Sequence, residues 1–488
     1  MVKPRFILVT FPAQGHINPA LQLAKRLVRI YRSEVTFFTT LFVYRRMTKD
    51  NDDHDKSAPL PPNDMSFAPF SDGYDDGFAG DINFDHYSSD LRRRGSRALA
   101  EVIGAGVDEG RPYTCVVYTL LLPWAADVAA EHNIPAALLW VQPATVFDVF
   151  YYCFHEYKDI VLDNSENPTM PLSFPGLPLL TIRDLPSLLT DSSVQSTLFI
   201  KFFQAQFEKL DEESNPKVLV NTFDELEYEA LRSIGSNKMR LIPIGPLIPS
   251  AFCDGKDLSD TSFGGDLIRR PNDNYVEWLN SKDKTTVVYL SFGSYSVLSK
   301  PQMEEIAKGL LDFGHPFLWV IREKEPNDNK KGSNDNDDDD ELSCKEELEK
   351  LGMIVTWCSQ VEVLSNESLG CFVSHCGWNS TLESLVCGVP MVAFPQWVDQ
   401  KTNAKLVEDV WKTGVRVTPN EEGIVGGEEI KRCLELVMGG KENGVEIRRN
   451  AEKWKDLARE AATEGGSSDR NFKAFVNEVI GEVGALSS

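Results

Sequence analysis

The chain has 488 residues, of which 42% are hydrophobic and 25% charged, as is typical of a soluble globular protein with room for two domains. Its formal net charge of −24 repels polyanions, so nucleic acids and anionic membranes are poor partners. Nine cysteines, an odd number without a disulfide pattern, suit a reducing cytosol. The first apolar run is too short for a signal peptide, and no run approaches the ~20 apolar residues of a membrane span. We therefore expect a cytoplasmic protein.

Short apolar runs alternate with helical patterns along the first half of the chain, which predicts an α/β domain with a parallel sheet. The first strand, Phe6–Phe11, is followed by an amphipathic helix over Ile17–Ile30. Further strands are predicted over Val35–Thr39, Cys115–Tyr118, Ala136–Trp140, Val218–Asn221 and Leu241–Ile244. We assign residues 1–245 to this domain.

A second α/β series begins after a segment rich in Gly, Pro, Ser and Asp, which we interpret as a linker over residues 246–271. The later strands are predicted over Val287–Phe292, Phe317–Ile321, Met353–Thr356, Gly370–Ser374 and Pro390–Ala393. We assign residues 272–463 to a second domain and residues 464–488 to a C-terminal helix. The acidic stretch Asn327–Glu341 is of low complexity, and we expect a disordered surface loop there rather than a metal-binding cluster.

A 44-residue segment beginning at Trp357 concentrates polar and aromatic residues around a predicted strand-to-helix turn. A helix N-terminus suits a diphosphate, because its backbone N–H groups and the positive end of its dipole face the ligand. His375, Asn379 and Ser380 cluster hydrogen-bond donors at this turn. Glu383 lies one turn further on, where its carboxylate could accept from a ribose diol, and Trp357 offers a flat face to a base. The segment therefore predicts a nucleotide-sugar site.

The same segment, from Trp357 to Gln400, resembles the signature box of plant UDP-sugar-dependent glycosyltransferases of family 1. The resemblance extends from the motif Pro12–Pro19 (PAQGHINP) to the helical C-terminus, and it is strongest to the subgroup acting on anthocyanins at the 5-O position and on crocetin. It implies the GT-B fold, in which two doubly wound Rossmann-like domains face each other across a cleft. The N-terminal domain would bind the acceptor and the C-terminal domain UDP-sugar, and the last helix would return to the N-terminal domain.

The activity implied is the inverting transfer of glucose from UDP-glucose to a hydroxyl or carboxyl of a small plant metabolite, such as a flavonoid, an anthocyanin or a crocetin-like acid. The product would be a β-glucoside or a glucose ester. The resemblance implies no metal and no cofactor beyond UDP-glucose as co-substrate, and we expect a monomer. UDP would be held by Ser294, Trp357, Cys358, Gln360, His375, Asn379, Ser380 and Glu383. The sugar hydroxyls would contact Trp378, Asp399 and Gln400, the last being the residue usually associated with glucose.

The resemblance also assigns the general base to His16, which follows the first strand and precedes a helix. An imidazole has a reference pKa near 6.5, which suits proton abstraction at neutral pH. Many relatives place an aspartate after the strand Cys115–Tyr118 to orient the histidine, but this chain has Thr119 there. Asp127, eight residues later, is not an evident substitute. We hypothesise that a weaker base suffices if the acceptor is a carboxylic acid or an acidic phenol.

The acceptor pocket is expected in the N-terminal domain, whose loops vary between relatives. The candidates are aromatic or polar residues near predicted strand ends, and for most of them a core role is favoured over a place in the pocket: Phe11, Phe70, Tyr74, Trp140, Gln142, Phe147 and Phe150. Val398 stands beside Asp399 and is a further candidate for the acceptor side.

Other classes of function remain open at this point. A metal-dependent transferase would use an Asp-x-Asp motif, which Asp53-His54-Asp55 and Asp337–Asp340 match in letters but not in strand context. A zinc site at Cys371, His375 and Cys376 lacks a C-x-x-C pair. A catalytically impaired nucleotide-sugar binder would keep the box without turnover. A dehydrogenase would require a G-x-G-x-x-G after the first strand, which is absent.

Overall fold

The computed structural model describes residues 3–49, 64–77, 84–191, 193–235, 238–264, 274–294, 296–322 and 342–486. The Asp-x-Asp candidates at 53–55 and 337–340 and the acidic stretch Asn327–Glu341 lie outside these ranges. Within them, the strands are β1 Arg5–Val9, β2 Glu34–Thr40, β3 Met65–Phe70, β4 Cys115–Thr119, β5 Ala136–Trp140, β6 Pro171–Leu172, β7 Leu180–Thr181, β8 Lys217–Val220, β9 Arg240–Pro243, β10 Val287–Ser291, β11 Phe317–Val320, β12 Met353–Val355, β13 Leu369–Ser374, β14 Met391–Ala393 and β15 Gly414–Arg416.

The α-helices surround two of the sheets that these strands form. They are α1 Gln14–Tyr31, α2 Leu41–Lys49, α3 Phe84–Asp108, α4 Trp124–Glu131, α5 Ala144–Tyr152, α6 Lys158–Asp163, α7 Ser187–Thr190, α8 Val194–Glu212, α9 Ala230–Ser233, α10 Tyr275–Asn280, α11 Lys300–Phe313, α12 Lys345–Leu351, α13 Gln360–Leu364, α14 Trp378–Cys387, α15 Gln400–Lys405, α16 Gly427–Met438, α17 Glu442–Ala462 and α18 Ser467–Leu486. Across the described ranges, none of the helices is long and apolar enough to cross a bilayer.

The chain divides into two compact units that are not contiguous in sequence. Unit 1 consists of Met1–Ile182, Ser187–Ile268 and Arg459–Ser488, and unit 2 of Arg183–Pro186 and Arg269–Ala458. Each contains a parallel sheet flanked by helices, as the alternating pattern of the sequence predicts. Helix α17 therefore begins in unit 2 and ends in unit 1.

Unit 1 has a seven-stranded parallel sheet in the order β3-β2-β1-β4-β5-β8-β9, and a small antiparallel pair, β6 and β7. The sheet is apolar on both faces; Phe6 and Ile7 of β1, whose side chains point to opposite faces, are both 0% exposed. Helix α18 contributes Phe472, Phe475 and Val476 to the same core. The strand order reverses between β1 and β4, and ligands of open α/β sheets bind beyond the carboxyl ends of strands at such a reversal.

Unit 2 has a six-stranded parallel sheet in the order β12-β11-β10-β13-β14-β15. Its core lies between this sheet and the helices, with Leu290, Trp319 and Val373 at most 1% exposed. The strand order reverses between β10 and β13, so the same rule points to the carboxyl ends of these two strands.

A four-residue segment, Arg183–Pro186, belongs to unit 2 although its neighbours in sequence belong to unit 1. Asp184 is fully buried, and its Oδ1 lies 2.8 Å from Nη1 of Arg416. Lys405 Nζ lies 3.9 Å from the other carboxylate oxygen, and the Thr402 hydroxyl donates to the Asp184 carbonyl at 2.7 Å. The segment is thus held by a buried ion pair next to α15.

The stretch expected to form a linker packs within unit 1 over its described part. The Ser250 N–H donates to Asp260 at 2.9 Å, and Asp260 also pairs with Lys25 of α1 at 2.6 Å. Asp254 pairs with Arg29 of the same helix at 2.6 Å. The Gly- and Ser-rich composition here reflects tight turns fixed by aspartates, not a free tether.

Candidate active site

Polar residues follow the carboxyl ends of neighbouring parallel strands of unit 2. Because these ends meet at one edge of the sheet, the strand order brings together residues far apart in sequence. Listed by strand, the predicted site residues are Ser294 after β10; Trp357, Cys358 and Gln360 after β12; His375, Trp378, Asn379, Ser380 and Glu383 after β13; and Val398, Asp399 and Gln400 after β14.

The turn between β13 and α14 is tight. Cys376 has a left-handed φ of 64°, and its N–H donates to the Ser374 hydroxyl at 3.2 Å. Helix α14 follows from an extended Gly377, and no acidic residue occupies its first turn. Because the first N–H groups of a helix have no intrahelical carbonyl to bind, the turn presents a positive dipole end beside Asn379 and Ser380.

The His375 ring is enclosed by two glycines. A Cβ on Gly293 would lie 2.5 Å from His375 Nε2, and one on Gly377 would lie 2.4 Å from the same atom. Any side chain at either position would displace the imidazole. The pKa of His375 is lowered to about 4, chiefly by burial; a hydrogen bond with the Ser291 backbone opposes the shift, and the positive charge of Arg322 makes a smaller contribution in the same direction as burial. His375 is therefore neutral at pH 7, and it can donate a hydrogen bond without adding charge.

Three of the predicted UDP ligands bind one another. Gln360 Nε2 donates to Ser380 Oγ at 2.8 Å and to Glu383 Oε2 at 2.7 Å. Behind them, the hydroxyl of Tyr289 lies 3.4 Å from both Gln360 Oε1 and Cys358 Sγ. Glu383 is 4% exposed, so a ribose diol that binds its carboxylate would replace part of the existing contact with the Gln360 amide.

The two tryptophans of the box differ in exposure. Trp357 is half-buried between β12 and α13. The indole of Trp378 is 3% exposed and packs against Trp411 with ring centroids 5.9 Å apart. The prediction that Trp378 contacts the sugar is therefore restricted to its backbone at the start of α14, because its side chain belongs to the core.

Asp399 and Gln400 are held by neighbours on the same edge. Asn403 Nδ2 donates to Asp399 Oδ2 at 2.6 Å and to the Cys376 carbonyl at 2.8 Å, joining the two loops. Gln400 Oε1 accepts from the backbone N–H groups of Gln396 and Trp397 at 2.8 and 3.0 Å. These two bonds occupy the oxygen of the amide and do not involve its Nε2 group. Burial raises the pKa of Asp399 to about 6.

Val398 has a φ of 55°, an uncommon conformation for a β-branched residue. Backbone strain of this kind costs about 1–3 kcal/mol and persists where the surroundings fix it. At Val398 this conformation turns the chain immediately before Asp399, and it thereby helps to position the Asp399 carboxylate.

In unit 1, His16 lies in the first turn of α1, beyond the carboxyl end of β1, and Thr119 is the last residue of β4, the neighbouring strand. Burial lowers the pKa of His16 to about 4, and its Nδ1 has no hydrogen-bond partner among the described residues. The Thr119 hydroxyl accepts instead from the Phe11 N–H at 2.9 Å. Asp127 pairs with Lys209 at 2.7 Å. Neither residue orients the imidazole.

Most of the aromatic acceptor candidates are core residues. Trp140, Phe147 and Phe150 are fully buried; Trp140 packs on Phe147, and all three pack on Phe207, so they take the core role that the sequence favours for most of these candidates. Phe70 is 8% exposed and stacks on Phe38 at 4.7 Å. Phe11, Tyr74 and Gln142 are left as candidates; Gln142 is 8% exposed, and its buried Oε1 has no hydrogen-bond partner within the described ranges.

Three contributors to this edge were missed by sequence reasoning: Tyr289, Arg322 and Asn403. Asn403 lies one helical turn after Asp399, a spacing that predicts contact between the two side chains. Arg322 is the second residue after β11, the one strand from β10 to β14 to which no site residue was assigned. Over the described part of the chain, no group of three His, Cys, Asp or Glu side chains could hold a metal ion, and this includes Cys371, His375 and Cys376.

The comparisons with known proteins point to one family. The family model described as UDP-glucoronosyl and UDP-glucosyl transferase matches residues 258–450. The phloretin 4'-O-glucosyltransferase of Malus domestica is 59% identical over 488 residues and covers 98% of each chain. The chloroplastic crocetin glucosyltransferase of Gardenia jasminoides is 57% identical, again over 98% of each chain.

A solved structure has the same fold. Os79 from O. sativa, crystallised in complex with UDP, is 33% identical, with a TM-score of 0.82 over 97% of this chain and 100% of that one. The predicted α/β class with two doubly wound GT-B domains is thereby confirmed, as are the family and the likeness to crocetin glucosyltransferases.

Proposed function

Since this chain belongs to the UDP-glucoronosyl and UDP-glucosyl transferase family, we propose that it transfers glucose from UDP-glucose to a small phenolic or carboxylic metabolite, with inversion at the anomeric carbon. The observation that carries the donor half is the convergence of four strand ends of unit 2 on the neutral His375 and the start of α14. That edge offers hydrogen-bond donors and a helix dipole for a diphosphate.

The donor would lie along this edge in the order of its parts. Uracil stacks on Trp357 and bonds the backbone of Cys358, and the ribose binds Gln360 and Glu383. The diphosphate takes donors from Ser294, His375, Asn379 and Ser380 at the start of α14. The glucose hydroxyls bind Asp399 and Gln400. Because Gln400 Oε1 is already used by the backbone, its Nε2 group is the one that donates to the sugar.

In the reaction, the acceptor oxygen attacks the anomeric carbon as the bond from that carbon to the β-phosphate oxygen breaks. UDP departs from the opposite face with the bonding electrons, so the product is β-linked. The proton of a hydroxyl acceptor passes to His16, which burial keeps neutral and able to receive it.

Two features of His16 support an acidic acceptor. A pKa of about 4 makes the imidazole a weak base, and no described carboxylate stabilises the imidazolium. A carboxylic acid is already ionised at pH 7 and needs no base, and an acidic phenol needs less help than an aliphatic alcohol. The relatives named for phloretin and crocetin offer one acceptor of each kind.

The test is an acceptor screen with UDP-glucose over carboxylic acids, phenols of graded acidity and aliphatic alcohols. We expect turnover with the first two classes and little with alcohols. In H16A, turnover of phenols should fall by roughly 100-fold or more, the usual contribution of a general base, while carboxylic acids lose much less. Equal, total loss with both classes would remove the acid-acceptor argument.

The same screen separates the enzyme from a catalytically impaired nucleotide-sugar binder, which would bind UDP by calorimetry and turn over none of these compounds. We further propose that turnover is independent of divalent metal; activity that disappears with EDTA and returns with Mg²⁺ would contradict this.

We also propose that the protein is a monomer, which light scattering can check. A cytoplasmic location is proposed too, with a plastid signal for a fluorescent fusion as the contrary result.

A further inference from the structure

Strand β11 ends beside the turn that carries Ser294. The guanidinium of Arg322, two residues beyond this strand, donates from Nη1 to the Ser294 carbonyl and from Nη2 to the Ser296 carbonyl at 3.0 Å. Ser294 itself is exposed. A planar fork that binds two carbonyls of one turn fixes the direction of that turn better than a single bond.

Arg322 also acts on His375, through the turn that it holds and through its positive charge. The turn that it holds contains Gly293, the glycine packed against the imidazole. The positive charge of Arg322 contributes to the lowered pKa of His375. Burial is the main reason that the histidine is neutral, and the fixed positive charge of this corner therefore resides on the arginine.

A fixed charge is needed there if UDP is the leaving group. Breaking the bond between the anomeric carbon and the β-phosphate oxygen leaves one more negative charge on UDP than UDP-glucose carried. Donors that are neutral, such as His375, stabilise this charge less than a cation does.

Resting on the proposed function, we propose that Arg322 is a positioning residue of the diphosphate end of the donor site. It holds the Ser294 turn against the His375 loop, and its charge stabilises the diphosphate of bound and departing UDP. The uridine end, at Trp357 and Gln360, lies after a different strand and does not depend on it.

The experiment compares UDP with uridine, which lacks both phosphates, as competitive inhibitors of the full-length enzyme against UDP-glucose. In R322M we expect the inhibition constant of UDP to rise roughly tenfold or more, since a charged hydrogen-bond partner is lost, while that of uridine stays within about twofold. In R322K the charge remains without the fork, so an intermediate loss for UDP is expected.

A matched control is R448M. Arg448 likewise donates from Nη2 to two backbone carbonyls of unit 2, those of Met438 and Gly439, both at 3.2 Å. The R448M variant should therefore have the same inhibition constants for UDP and for uridine as the wild type. If R322M does not fold, judged by circular dichroism, R322K carries the comparison.

An unchanged UDP constant in R322M and R322K would overturn the proposal, and so would equal losses for UDP and uridine, which indicate general damage. A wild-type enzyme inhibited by neither compound would instead refute the proposed function itself. The two failures are therefore distinguishable.

Discussion

At the residue scale, His16, the proposed general base, shows how burial without a charged partner sets the pKa of an imidazole. The orienting position holds Thr119, whose hydroxyl is used by the Phe11 N–H, and the imidazole pKa is near 4. An aspartate at that position would favour the imidazolium and raise the pKa. Burial thus makes the histidine a weak base, and the side chain at position 119 does not offset this with a charge.

This gives a prediction for the pH dependence of turnover. With a phenolic acceptor, kcat/KM should show no ionisation of His16 between about pH 5 and 8, because the group loses its proton only near pH 4. As pH falls through that value the base is protonated and the rate falls. Nuclear magnetic resonance titration of the imidazole, assigned with H16Q, measures the same pKa directly.

The variant T119D provides the contrast. Its carboxylate should raise the His16 pKa above the wild-type value, whereas T119V, which removes the hydroxyl without adding charge, should leave it low. A wild-type pKa between 6 and 7 would contradict the structural explanation.

Much of the candidate donor site could be proposed from sequence because its residues are close in the chain. His375, Ser380 and Glu383 fall within a few residues of one strand-to-helix turn, so a local pattern describes them. Arg322 could not be predicted in the same way, because its role depends on β11 lying next to β10 in the sheet. Trp140 illustrates a different limit of sequence reasoning. Aromatic residues near strand ends occur both in pockets and in cores, and only the structure assigns Trp140 to the core.

At the element scale, the β13–α14 turn depends on close approach. G377A should displace His375, because the new methyl group would lie 2.4 Å from Nε2. We expect roughly 1–3 kcal/mol of destabilisation from overpacking and a loss of UDP affinity. Urea titration and calorimetry measure the two effects.

The matched control is G104A in helix α3, where an added Cβ meets nothing within 4 Å. It should be neutral or stabilising by up to about 1 kcal/mol, as expected for Gly to Ala in a helix. Similar behaviour of the two variants would mean that the His375 contact is unimportant.

The segment Arg183–Pro186 gives the second element-scale prediction. Removing the Asp184 carboxylate in D184A takes away the fully buried partner of the Arg416 guanidinium and leaves it the pair with Glu408, 3.5 Å from Nε, and we expect unfolding to become easier by about 3 kcal/mol. The comparison is D224A, which removes a more exposed pair with Arg232 at 2.8 Å and should cost less than about 1 kcal/mol. Equal urea midpoints for D184A and D224A would show that the buried pair contributes little.

Elements with clear periodicity were predicted within a few residues, and the others were missed for physical reasons. Strand β3 contains Pro69 and half-exposed positions, so its pattern is not that of a buried strand. Helix α3 contains Gly95 and Gly104, which lower helix propensity. Strand β15 is three residues long, too short for a recognisable pattern, and it is defined by its pairing with β14.

At the scale of the whole molecule, the alternation of strand and helix patterns predicted two consecutive α/β halves. In the structure each unit also contains a segment from the other half of the chain: Arg459–Ser488 belongs to unit 1 and Arg183–Pro186 to unit 2. Helix α18 completes unit 1: Phe472, Phe475 and Val476 are at most 1% exposed, and Lys217 pairs with Glu482 at 2.8 Å. Composition cannot show this, because a helix of this amphipathic pattern could pack on either sheet.

A chain ending at residue 458 should therefore lose ordered unit 1 while unit 2 remains folded. Burying several core side chains contributes about 1.5–3 kcal/mol each, more than a domain of marginal stability can lose. Limited proteolysis should degrade residues 1–268 of this variant, and adding the 459–488 peptide should restore protection. Removal of residues 487–488 alone is the control; protection of unit 1 without the peptide would refute the expectation.

The exchange of segments has a consequence for synthesis on the ribosome. The residues that begin unit 1 emerge first, yet those that close its core are translated only after all of unit 2. The later-made half can thus mature before the earlier one, while the nascent first half waits with an uncovered apolar face. Chaperone dependence during translation is the expected cellular sign of this order.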